Sequence, residues 1–328
     1  MRTLNAIGAA GAFALAAATA LPAQAETLSL AHWVPPQHVL TSSTIEPLQA
    51  ALAEATDDLE IQVYPGGELG AGPLEQYVRA VQGVADITWG LQGYTSSQFP
   101  LTMISELPGV LPEGMGGYDL IWNAYEDHLT GEFPGTVPLA LWLSEPNVII
   151  MRDREVRSPS DLEGLRIRVS GSAAAAVVEA LGATPVQMPA GEIYNALQTG
   201  LIDGLLTGAS AIRDFRLDEV ATTFTLGAPL GHISFYLVMN AERYEGLSDE
   251  HRAAIDSIAG RPLSQSAEEG WNERADQVIA DLRADPDKTV IDLSEEEIAA
   301  FADLTLPVTD RLIEELDAAD VLAAMRGE

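Results

Sequence analysis

The chain has 328 residues, no cysteine, and 17 basic side chains against 49 acidic ones, a formal net charge of −32. Without cysteine there is no disulfide framework, no thiol nucleophile and no lipid anchor on Cys, so a large hydrophobic core must hold the fold. A chain this acidic is repelled by polyphosphate, which excludes nucleic acid as a partner.

Met1 and Arg2, the apolar Ala-rich run Ile7 to Leu21 and the small-residue triplet Ala23-Gln24-Ala25 have the order of a secretory signal peptide. Cleavage after Ala25 is expected, leaving a chain that begins at Glu26 in the periplasm. No later apolar run approaches the roughly twenty residues of a spanning helix, so no membrane insertion of its own is expected. The remaining length suits two domains at the usual ~100 to 200 residues each. Acids gather in runs such as Glu295-Glu296-Glu297, and Lys288 is the single lysine. That composition fits a saline medium, and equally an ordinary acidic protein from a GC-rich genome.

From the expected mature start, Thr27 to Trp33 alternates as a strand, and an amphipathic helix is predicted from His38 to Ala55 after Pro35-Pro36. A strand from Leu59 to Tyr64, a helix from Pro73 to Gln82 and a strand from Ala85 to Gly90 complete a parallel-sheet signature. Between Gln92 and Leu143 seven glycines and five prolines interrupt the pattern, so this stretch is expected to wrap around the sheet, with one helix near Tyr118 to His128. Strands then resume at Asn147 to Met151 and Leu165 to Val169, followed by helices Ser172 to Leu181 and Ala190 to Thr199, each stopped by glycine. Further strands are predicted at Ile202 to Leu206, Ala221 to Leu226 and His232 to Asn240, the last long enough to leave one sheet and join the other. Apolar spacing from Ser248 to Arg283 predicts a long helix interrupted at Gly260-Arg261-Pro262, and Ser294-Glu295-Glu296-Glu297 opens a final helix to Leu316.

The most informative stretch is Asp161 to Gly204, DLEGLRIRVSGSAAAAVVEALGATPVQMPAGEIYNALQTGLIDG, where a strand carrying Arg168 runs into two helical units. A guanidinium matches the two oxygens of a carboxylate, so an arginine on a strand end both attracts and orients an anion. Taken alone, Arg168 fits equally well an outward strand residue paired with a surface acid. Arg166 shares its face. The stretch resembles the solute-binding proteins of TRAP transporters, in which the arginine of a K/R-[IL]-R-V strand grips a ligand carboxylate, and Arg168 is that position here. The resemblance implies an α/β fold of two periplasmic-binding-protein-like domains, with crossover strands, a long helix shared by both and the ligand between them. Domain I would take residues 26–145 and 232–271, domain II residues 146–231 and 272–328. It also implies membrane permease subunits as partners.

Other positions depart from the family pattern. Members binding sialic acid or C4-dicarboxylates usually carry a second arginine where Asn147-Val148 stands here, and the Q-E-N that often follows aspartate-glycine is replaced by Leu205-Leu206-Thr207. The bulky aromatic of sialic-acid members falls at Ala190. These departures point to a small organic acid, with one carboxylate. The family's first-domain pocket residues map to His32-Trp33 and to Trp89 through Gln92 with Tyr94, and rings there would give the cleft rigid apolar walls. Thr207 offers a hydroxyl, Ser170 follows the arginine strand, and His232 and Phe235 stand at the second crossover. Each of these aromatics fits core packing equally well.

Catalytic readings find little to rest on. His32 and His38 straddle Pro35-Pro36 and lack the i, i+4 spacing of a metal pair. No G-x-S-x-G elbow or phosphate loop occurs. Neither a cofactor nor a metal is expected. Gly171-Ser172, opening a helix, could hold an anion on backbone N–H groups. The alternatives are a secreted lyase-like enzyme acting on an organic acid, for which Glu192 or Asp203 would have to supply the base, and a ligand-sensing module of a signalling system.

Overall fold

A computed structural model describes residues 25–70 and 72–328, so the expected signal segment and its cleavage signature lie outside the described residues except for Ala25. In chain order the elements are β1 (Glu26–Ala31), α1 (Glu46–Ala55), β2 (Leu59–Tyr64), α2 (Gln76–Val81), β3 (Ile87–Leu91), α3 (Gly117–Ala124), β4 (Thr136–Leu143) and β5 (Asn147–Met151). There follow β6 (Arg166–Val169), α4 (Ser172–Ala180), β7 (Thr184–Gln187), α5 (Ile193–Thr199), β8 (Gly204–Gly208), α6 (Ser210–Asp214), β9 (Thr223–Leu226) and β10 (Ser234–Asn240). The chain ends with α7 (Ala241–Glu245), α8 (Asp249–Asp256), α9 (Arg261–Ala284), β11 (Thr289–Asp292), α10 (Glu295–Glu315) and α11 (Ala319–Arg326).

Two sheets result, ordered β2-β1-β3-β10-β4 and β11-β9-β5-β8-β6-β7. In the first, β1 pairs in parallel with β2 and β3, while β10 runs antiparallel between β3 and β4. In the second, β5 is antiparallel to β8 and β9, and β6 is parallel to β7 and β8. Both faces of each sheet are covered. Along β10, Phe235, Leu237 and Met239 enter one core while Tyr236 and Val238 enter another, the period-two alternation of a strand buried on both sides.

The structure corrects three features of the sequence reading. Residues 92–143 do more than wrap: Thr136-Val137-Pro138-Leu139-Ala140-Leu141-Trp142-Leu143 is an edge strand of the first sheet. Pro138 is tolerated because the strand is an edge and its register shifts there, opposite Leu237/Val238. Second, the crossing is made by residues 227–233, and β10 itself lies wholly in the first sheet. Gly231 has φ +73°, and a Cβ there would lie 1.9 Å from the carbonyl oxygen of Glu106, so the crossing loop is pressed onto backbone that only glycine can approach. Third, α11 packs on the first unit: Val321 and Met325 share a core with Leu120, Ile121 and Leu141, although 272–328 was grouped with the second. The chain turns back there through Asp317, which has φ +51°.

The interrupted helix at 248–283 is two helices, α8 and α9, separated at Gly260, whose φ of 81° and ψ of −135° no helix continues. Helix α9 joins the units. Its Leu263, Ala267 and Trp271 enter the core of the first sheet, and Ala275, Val278 and Leu282 enter that of the second. At the last long helix Ser294 caps as expected, and Glu297 completes a capping box with it.

Candidate functional site

Strand β6 sets two arginines apart. Ile167 and Val169 point into the core with Ile149 and Val177. Arg166 and Arg168 therefore share the other face, where they meet opposite fates. Arg166, near the strand's start, holds Asp203 through Nη2–Oδ1 at 2.9 Å and Nε–Oδ2 at 3.1 Å, with its side chain 43% exposed. Arg168 is 1% exposed. Its Nε and Nη2 donate to the carbonyl oxygen of Met188 at 3.0 and 2.9 Å, and Nη2 reaches the hydroxyl of Tyr94 at 3.4 Å. Burial lowers its pKa, no carboxylate figures among the groups acting on it, and a guanidinium stays charged regardless.

Arg168, Trp33, Trp89, Tyr94, Thr207 and Phe235 line one cavity of ≈ 40 Å³ between the two sheets. Strand β3 presents Trp89 and Leu91 to it, β8 presents Thr207 and Gly208, and Tyr94 follows in the turn after β3. The hydroxyl of Tyr94 accepts the N–H of Ala190 at 2.8 Å, which ties the first unit to the second beside the arginine. The rings form a continuous wall. Trp33 stacks on Trp89 at 5.5 Å and 20°, and Trp89 stacks on Phe235 at 5.7 Å and 19°. Trp33 Nε1 and Trp89 Nε1 are buried donors without a partner among the described residues.

The other sequence candidates stand elsewhere. Gln92 is fully buried in the 3-10 turn just after β3, with neither amide atom hydrogen-bonded among the described residues. His32 is buried, its backbone N–H on Tyr64 and its ring Nδ1 unpartnered, and desolvation pulls its pKa down to about 4. Ser170 is buried with an unpartnered hydroxyl. His232 sits in the crossing, its Nδ1 2.9 Å from the carbonyl oxygen of Ser144. None of these four lines the cavity. The N-terminus of α4 is closed off as well: Ser172 donates to Ser96 Oγ at 3.3 Å, and a Cβ on Gly171 would lie 2.6 Å from the Cα of Gly93.

Among the cavity residues that sequence reasoning missed are His38, Phe215 and Trp271. Helical spacing marks Trp271 as apolar without saying that its ring meets Trp142 and Phe235. Phe215 follows a five-residue helix that no periodicity announces. His38 is buried, desolvation lowers its pKa to about 3, and it is therefore neutral. Val148, where a second arginine would stand in some receptors, is buried among Ile150, Ile193 and Phe224. Asn147 beside it holds the crossing, its Nδ2 donating to the carbonyls of Leu230 and His232 at 3.3 Å each. Arg168 is thus the one arginine lining the cavity among the described residues.

The described residues include no group of three or more His, Cys, Asp or Glu placed to hold a metal, and no helix long and apolar enough to cross a membrane. The profile of bacterial extracellular solute-binding proteins, family 7, matches residues 30–316. The ectoine-binding periplasmic protein TeaA of Halomonas elongata is 28% identical over 273 residues, covering 80% of this chain and 77% of its own. The C4-dicarboxylate-binding periplasmic protein DctP of Rhodobacter capsulatus is 25% identical over 338 residues, 98% of each chain. A TRAP periplasmic solute-binding protein from Bordetella bronchiseptica, solved with bound (R)- and (S)-mandelate, superposes with a TM-score of 0.83 at 25% identity, covering 92% of this chain and 98% of its own. With a profile match over nearly the whole chain and a shared two-sheet fold, the chain belongs to family 7 of the bacterial extracellular solute-binding proteins, the receptors, not enzymes, of TRAP-type uptake.

Proposed function

We propose that this receptor captures a compact organic acid bearing one carboxylate, holds that group on Arg168, lays the body of the molecule against the tryptophans, and delivers it to membrane permease subunits. The observation that carries this is the buried charge of Arg168, which among the described residues has carbonyl and hydroxyl partners but no acid. An isolated buried charge costs several kcal/mol even after relaxation, and an anionic ligand offsets that cost where water cannot reach. The ring wall favours a flat, apolar body over a sugar, since stacking rewards planar faces. The relative holding mandelate, a ring with a single carboxylate, supports that class, and the ectoine-binding relative supports a small cyclic solute. The dicarboxylate-binding relative argues for two carboxylates, and buried Val148 weighs against them here. The receptor acts after export, with the leader removed behind Ala25.

A thermal-shift screen of aromatic and aliphatic acids, followed by calorimetry on the best, tests the reading. Arg168→Ala should weaken binding by about 30- to 5000-fold, the ~2 to 5 kcal/mol cost of truncating one member of a desolvated charge pair. Arg166→Ala should bind as the wild type does, because its charge already belongs to Asp203. Normal binding by Arg168→Ala would sink the proposal.

A further inference from the structure

Asp214, the last residue of α6, and Phe215 just after it meet the first unit side by side. Asp214 has its side chain 2% exposed, and Oδ1 accepts from Arg274 Nη1 at 2.6 Å. Its Oδ2 lies 3.5 Å from His38 Nε2 and 3.4 Å from the backbone N of Val39. The N–H of Leu40 donates to His38 Nδ1 at 3.1 Å, so the ring hydrogen sits on Nε2, the nitrogen that faces Asp214. Phe215, the next residue, stacks on Trp33 at 5.9 Å and 18° and meets the His38 ring edge-on at 5.8 Å. Arg274 stands on α9 between Trp271 and Ala275, where that helix passes from one core to the other. One carboxylate thus joins a loop of the first unit, a helix of the second and the helix they share. Asp214 does not line the cavity, and Arg168 is bonded to neither residue.

We propose that Asp214 and Phe215 are the latch that holds the second unit against the first, setting how much of the receptor is closed and how slowly a ligand leaves. This extends the receptor reading, because it names residues that govern the same cavity through closure and not through the carboxylate. The contacts of Asp214 with His38 and Val39, and of Phe215 with Trp33, exist only when the units are together. Weakening them should lower the closed fraction, and apparent affinity falls in proportion to the competent fraction.

The absence of native cysteine allows two labels, at exposed Gln62→Cys in the first unit and Glu179→Cys in the second, to report the inter-unit distance in the ligand-free mature protein. Wild type should show a closed population, and Asp214→Asn should reduce it by about tenfold through loss of the charge-assisted contacts. Phe215→Leu should reduce it in the same direction, and a thermal melt of each variant checks that it is folded. In stopped-flow fluorescence with (R)-mandelate as the probe, Asp214→Asn, a residue that does not line the cavity, should release the probe faster than the wild type. A wild type with no closed fraction, or one that Asp214→Asn leaves unaltered in a folded protein, overturns the latch. The ligand-free label distance, read with no probe present, tests the latch alone, whereas Arg168→Ala, which removes the Arg168–Tyr94 contact as well as the cation, is read only by loss of probe binding, so either proposal can fail without the other.

Discussion

The cavity and the crossings both bury charge, and they relieve it differently. In the cavity Arg168 has no acid partner among the described residues. At the crossings Glu106 and Glu145 are buried carboxylates: Glu106 Oε1 accepts from the backbone N–H and hydroxyl of Ser234 at 2.8 and 2.6 Å, and Glu145 Oε1 accepts from the N–H of Ser210 at 2.6 Å. The Oε2 of each has no partner among the described residues, and burial raises both to about 7. A carboxyl so placed can take a proton and become neutral. A guanidinium cannot, so what a proton does at the crossings must be done in the cavity by an anion. Under the proposed reading the cavity is the place that takes an anionic ligand, whereas the crossings need only structure.

The hardest test of that contrast removes the cavity's charge while keeping its bulk. Arg168→Met should abolish binding and, with the isolated cation gone, raise the stability of the ligand-free fold by on the order of 1 to 3 kcal/mol, several degrees in Tm. The gain is reduced by whatever the Met188 carbonyl loses when its two N–H donors go. A variant that melts below the wild type would mean that Arg168 is held for the fold and not for a ligand.

The crossings should answer to pH instead. A carboxyl whose pKa is raised from 4.5 to about 7 keeps its proton longer in the folded state, so the folded chain binds more protons and stability falls as pH rises between those values. Glu106→Gln and Glu145→Gln should match the wild type near pH 5 and exceed it at pH 8, by up to ~3 kcal/mol each if the full shift is expressed. His32 and His38 act in the opposite sense. Their pKa values are lowered to about 4 and about 3, so their contribution is complete above 6.5 and fades as pH falls through that range. Melting curves from pH 4 to 9 should therefore show the histidine slope more plainly in the Gln variants. Identical profiles for wild type and variants would mean that the two carboxylates are hydrated in solution.

Particular residues show what the sequence made legible. The R-I-R-V strand, with apolar Ile167 and Val169 alternating with its arginines, marked which face Arg168 takes, and Gly182 after α4 and Gly200 after α5 marked the helix ends. Strand β4 was hidden because Pro134, Gly135 and Pro138 punctuate it, and only its pairing with β10 shows that the last proline sits at a register shift. Gln92 does not line the cavity that Trp89 and Leu91 of β3 line; it begins the 3-10 turn beyond the strand, where strand alternation no longer says which way a side chain points. Phe215 and His38 were beyond reach. Both reach the cavity from short segments whose position depends on contacts between residues nearly two hundred apart, such as Val39 with Asp214.

The smallest effect concerns ligand choice, and it asks whether the cavity's single cation sets a limit of one carboxylate. Phenylacetate and phenylmalonate differ by one carboxylate on the same carbon, so the ring should meet the same wall in both. Arg168 can match one anionic group, and the position from which other receptors supply a second arginine holds Val148, buried with Ile150. A second carboxylate would have to lose water with no partner, or take up a proton before entry. At neutral pH phenylacetate should bind about tenfold more tightly, a difference of ~1.4 kcal/mol. Lowering the pH toward 5 should narrow the gap, because the neutral second carboxyl no longer carries a charge into the site. Calorimetry of the two acids at both values decides it. Equal or tighter binding of phenylmalonate at pH 7 would point to a substitute cation, and Arg152, whose side chain is 40% exposed beside Asp153, or Arg154 would be the first to replace.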